Sequence, residues 1–75
     1  MPIIQVNLPR AQKRRIEKTL AKTKDKLTAV RCQILLLLNQ TYSAKTVAEM
    51  VCCVRATVYR TVYRFEELGE DSLND

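Results

Sequence analysis

Arg60 and Arg64 stand four residues apart, as do Tyr59 and Tyr63, in the run RATVYRTVYRF from Arg55 to Phe65. Side chains four apart leave a helix in nearly the same direction, so each pair presents two like groups one turn from each other. Guanidinium forks held in this way can bond phosphate oxygens or the acceptor edge of guanine, and a phenol can donate to a phosphate. Arg55 and Thr57 belong to the same polar set, and Lys45 precedes them by one short segment, where it can meet a further phosphate. The chemistry these residues favour is noncovalent recognition of double-stranded DNA. Covalent chemistry has little to work with, since there is no histidine, no convincing nucleophile-base pair and no glycine-rich loop to cradle a phosphate. Cys32, Cys52 and Cys53 are an odd number, and adjacent cysteines are badly placed to bridge each other or to chelate one metal tetrahedrally. The expectation is reduced thiols in the core or a turn, with no catalytic residue, no metal, no cofactor and no enzymatic activity in this chain.

Such side chains need a helix with an apolar back. Val58, Val62 and Phe65 supply it at intervals of four and three, and Val47, Ala48 and Val51 fall on one side of a shorter helix before it. Between the two, Cys52, Cys53 and Val54 leave room only for a sharp turn, and Ser43 is the natural N-cap of the first of the pair. Two helices joined in this way form a helix-turn-helix, with Ala56, Thr57, Tyr59, Arg60, Tyr63 and Arg64 turned away from the core on the second. Upstream, Leu27, Val30, Ile34, Leu37 and Leu38 give the stripe of a central buried helix, and Thr23 to Asp25 offer capping oxygens before it. Arg10 to Lys22 reads as a helix whose apolar Ile16 and Leu20 oppose a dense basic face that includes Lys13, Arg14 and Lys18. Residues 1–8 read as an extended or flexible lead-in, residues 9–69 as the domain and residues 70–75 as an acidic tail, with Gly69 placed to end the last helix in the left-handed conformation.

A chain of 75 residues makes one small domain, which buries only about 60% of its unfolded surface and has no room for a large cleft beside its core. One glycine, two prolines and 5% aromatic content leave few hairpin turns, so the expected class is all-α, a small homeodomain-like helix-turn-helix bundle of about four helices. The net charge of +5 is unevenly spread: residues 10–31 hold nine basic groups against Glu17 and Asp25, and from Glu66 onward there are five acids and no base. That polarity favours a polyanion at the basic end, because each phosphate neutralised by Lys or Arg releases counterions. Arg14 is the candidate phosphate contact there. No apolar run is long enough for a bilayer and no signal peptide is visible, which implies no membrane partner and a cytoplasmic location.

Ser43, the Val47-Ala48 pair, Arg55, the Thr57-Val58-Tyr59-Arg60 run and Arg64-Phe65, followed by Glu-Glu-Leu-Gly and Asp71-Ser72-Leu73, carry a family likeness. So does the leucine-rich segment from Val30 to Leu37. From about Leu8 to Asp75 the chain resembles the N-terminal DNA-binding region of bacterial insertion-sequence transposases of the mariner-like superfamily. The resemblance implies recognition of the terminal inverted repeats of a mobile element. It also implies a second helix-turn-helix and a catalytic domain with three acidic metal ligands; neither follows in this sequence, which therefore resembles an excised or truncated binding domain, nucleoid-associated when bound to DNA. Two positions depart from the family pattern. Cys52 occupies the turn position where glycine is usual, although a side chain tolerates positive φ poorly. Val54 stands where a serine or threonine often caps the recognition helix, a loss on the order of 1 kcal/mol.

Two other readings use the same residues. A stand-alone transcriptional regulator would bind a palindrome as a homodimer, and a homodimer on DNA is left open although no heptad seam is visible. A helical protein-interaction module would instead turn the basic face to an acidic protein or an anionic lipid.

Overall fold

A computed structural model describes residues 6–69. The first five residues of the lead-in and the acidic tail at 70–75 lie outside the described residues. The four expected helices are present as α1 (Arg10–Lys22), α2 (Lys26–Asn39), α3 (Ala44–Met50) and α4 (Arg55–Leu68), with no strand among the described residues. None of these helices is long and apolar enough to cross a membrane.

Local chemistry sets each boundary. Pro9 precedes α1, where its fixed φ suits a helix start, and its carbonyl accepts the Lys13 N–H at 2.8 Å. At the other end the Thr23 N–H donates to the Thr19 carbonyl while Thr23 itself turns extended. The Thr23 hydroxyl then accepts the Asp25 N–H at 3.1 Å. Asp25 caps α2, its carboxylate accepting the Leu27 N–H at 3.2 Å and the Thr28 hydroxyl at 3.0 Å. Capping oxygens were expected in this stretch, and they order the link between α1 and α2.

α2 is the central helix. α1 packs against it, and α3 and α4 pack both against it and against each other. Cys32, Ile34 and Leu35 are fully buried and Leu38 nearly so, joined by Ile16 of α1, Val47 of α3, and Val58 and Val62 of α4. The stripe differs from the expected one. Leu27 is 49% exposed, while Thr28 is buried in its place. At 100° per residue Thr28, Cys32 and Leu35 form one line and Ile34 and Leu38 another, so α2 buries a broad arc between neighbours on two sides rather than a narrow seam. Leu27 belongs to that arc by angle but sits in the first turn, at the helix end.

The lead-in contributes to the core as well. Val6 is buried, Leu8 packs against the same cluster, and the Leu8 N–H donates to the Asn39 carboxamide oxygen at 2.9 Å. That bond ties the segment before α1 to the last residue of α2.

α2 ends in a Schellman motif. The Tyr42 N–H returns to the Leu37 carbonyl, the Thr41 N–H to that of Leu38, and Thr41 takes φ 72°. A β-branched residue in this region is strained, and the chain's single glycine is spent elsewhere, at Gly69. Gly69 closes α4 with φ 62°, its N–H donating to the Phe65 carbonyl. Its φ is positive as expected, but ψ of −139° takes it out of the left-handed helical region into one that is essentially open to glycine alone.

Candidate nucleic-acid interface

α3 is only seven residues long and depends on its cap and its contacts. The Ser43 hydroxyl accepts the Thr46 N–H at 3.2 Å and donates to the Thr46 hydroxyl at 2.9 Å. The helix then buries Val47 and Ala48 against the core and leaves Lys45 exposed. The small Ala48 lies under the turn, its carbonyl accepting the Cys53 N–H at 2.9 Å.

The turn between α3 and α4 is a second Schellman motif. Besides that bond, the Cys52 N–H donates to the Glu49 carbonyl at 3.3 Å, and Cys52 adopts φ 57°. The tight turn therefore keeps its left-handed residue although that residue is a cysteine. A left-handed L-residue costs about 1–2 kcal/mol, and the greater unfolded-state freedom of glycine takes back about 0.5–1 kcal/mol. Because the Cys52 side chain is exposed, Cys52→Gly should stabilise the domain by about 0.5–1 kcal/mol, a rise in Tm of a few degrees in thermal unfolding. A lower Tm would mean that the thiol makes contacts that outweigh backbone strain.

Cys53 packs at the margin of the core, and burial, with Cys52 beside it a smaller cause, pushes its thiol up from the usual range. Burial alone raises Cys32. Both are held as neutral thiols at neutral pH, which makes them poor nucleophiles and poor ligands.

Val54 precedes α4 in an extended conformation and provides no side-chain cap. From there α4 buries Val58, Thr61 and Val62, with Phe65 packed at the edge. Thr61 is a core position that apolar spacing alone passes over. Its hydroxyl donates to the Thr57 carbonyl at 2.8 Å, so the polar atom is satisfied inside the helix and the methyl group can face the core. The signal was its phase, three residues after Val58 and four before Phe65.

The opposite side of α4 is polar and open. Arg55, Ala56, Arg60, Tyr63 and Arg64 are exposed, while Thr57 and Tyr59 are half-buried. Helical phase puts Ala56, Arg60 and Tyr63 directly opposite the buried stripe. Thr57 and Arg64 share one flank, and Arg55 and Tyr59 the other. The two tyrosines are thus inequivalent, with Tyr63 on the outer line and Tyr59 beside the core. Arg55 and Arg64 each also engage a neighbouring group of the chain. Glu67 continues the outer line beyond Tyr63, so the cationic portion is confined to residues 55–64. That length is about 15 Å, comparable with the roughly 12 Å width of a B-DNA major groove.

The expected binding residues divide between two parts of the molecule. Six of them lie on α4 and Lys45 lies on α3, the helix packed against it. Arg14 is exposed on α1, whose main packing is against α2.

Compared with known families, the chain matches, over residues 31–75, the model of a family described as winged helix-turn helix, beginning within α2 and continuing through α3, the turn and α4. No curated protein and no solved structure matches the chain.

Proposed function

Because this chain belongs to the winged helix-turn helix family, we propose that it binds duplex DNA by laying the first three turns of α4 in the major groove. The single observation that carries this reading is the outward line of Ala56, Arg60 and Tyr63, lying opposite a closed apolar back and flanked by Thr57, Arg64, Arg55 and Tyr59. Arg60 is positioned to read base edges, while Lys45 on the neighbouring helix meets phosphate. Ala56 leaves the centre of the face low enough for close approach to the bases.

The target we infer is the terminal inverted repeat of a mobile element. This is supported by the Thr57-Val58-Tyr59-Arg60 run, by Ser43 as the cap of α3 and by the leucine-rich α2 segment, which together resemble the DNA-binding region of mariner-like transposases. In this reading the chain positions DNA, and the cutting and joining of strands belong to a separate catalytic unit.

Binding through about six phosphates gives a log-log slope of affinity against salt near −5. Titration of a fluorescent duplex with the chain across 50–300 mM salt measures it. A slope near zero would remove phosphate contacts, and with them the groove-bound reading.

A further inference from the structure

α1 lies outside the residues that match the family and carries a charge pattern of its own. Arg10, Arg14, Lys18 and Lys22 recur every four residues and are all exposed, and Glu17 is the only acid on the helix. The steps are about 6 Å along the axis, and the whole row about 18 Å. Measured along the duplex axis, a row of that length covers the rise of about five phosphates of one strand. The residues between the cations on this face are Ala11 and Ala21, small enough to let the long side chains reach a surface.

The apolar residues of the helix discriminate among polyanions. Ile16 is fully buried and Leu20 packs against the core. A helix that lies on a membrane needs bulky apolar side chains to bury in the lipid, and α1 has already committed its own to the protein interior. Its exposed face also lacks the aromatic anchors that concentrate binding energy in protein interfaces.

We propose that α1 is a second DNA-binding surface, which grips the phosphate backbone of duplex DNA without reading sequence and is separable from α4. The proposal rests on the DNA-binding reading above and adds a division of labour to it, with α4 selecting the site and α1 supplying salt-dependent affinity on any duplex.

The test uses the whole chain carrying Arg14→Gln, Lys18→Gln and Lys22→Gln together, glutamine being a good helix former. Binding is measured against salt on a selected duplex and on a scrambled one, with circular dichroism to verify helix content. The expected result is a slope shallower by about 3 on both duplexes, with the ratio of the two affinities unchanged. Glu17→Lys provides the converse, steepening both slopes by about 1 even if the triple variant fails to fold. An unchanged slope or a loss confined to the selected duplex would overturn the proposal. The two readings fail separately. A wild-type chain that does not distinguish the duplexes defeats site reading by α4 while a shallower slope still upholds α1, and discrimination with unchanged slopes does the reverse.

Discussion

Arg60→Ala should weaken binding to a selected duplex by about 10- to 100-fold while leaving binding to random-sequence duplex within a few-fold of the parent. The asymmetry follows from position. Arg60 lies opposite Val58, Thr61 and Val62, at the centre of the outward face, where a guanidinium fork can engage two acceptors of one guanine. Arg55 and Arg64 leave α4 on its two flanks rather than at the centre of that face. In the proposed groove-bound arrangement, truncating the central fork removes a base contact, so the loss should register on the preferred sequence. Arg60→Lys separates fork from charge. It should retain most random-sequence affinity but not selectivity, because an ammonium cannot reproduce bidentate geometry. Equal losses on both duplexes, measured side by side at one salt concentration, would instead make Arg60 a phosphate anchor.

Leu35→Ala should have the largest effect on stability, costing about 2–5 kcal/mol. Leu35 is fully buried on the central helix. The cavity would lie within the one core that joins all four helices, and small domains have total stabilities of only about 5–15 kcal/mol. Thermal unfolding should show a fall in Tm of at least about 10 °C. Leu27→Ala on the same helix provides the contrast. Leu27 is half exposed, and its removal should cost within about 0.5 kcal/mol. Similar losses from both variants would contradict the observed burial pattern of α2.

These two leucines also mark where sequence reasoning succeeds and where it stops. The helices themselves were legible because their signals are local: Asp25 and Ser43 as caps, Pro9 at a start, the apolar phase of α4, and too few residues between α3 and α4 for anything but a turn. The positive φ at Cys52 was signalled instead by the family resemblance, in which glycine is usual at that turn position. What escaped is tertiary. Whether Leu27 or Thr28 enters the core depends on which neighbours flank the first turn of α2. Val6 and Leu8 join the core, and Leu8 is tied to the distant Asn39, a partner that no local pattern names. Thr41 at positive φ is imposed by the direction the chain must take into α3.

The interface divides along the same line. Helical periodicity alone distinguishes the inner and outer sides of α4, so Arg60 and Tyr63 were identifiable from spacing. The separation of Arg14 from them was not, because it depends on α1 packing chiefly against α2.

Selection of bound duplexes from a random-sequence library by the chain, at low and at higher salt, tests the proposed DNA-reading role of α4 most directly. Enrichment of one motif that survives the higher salt is the expected result, and a motif matching the ends of a mobile element would extend it to terminal repeats. Binding without enrichment that vanishes as salt rises would contradict it, leaving a generic polyanion surface and no reader of sequence.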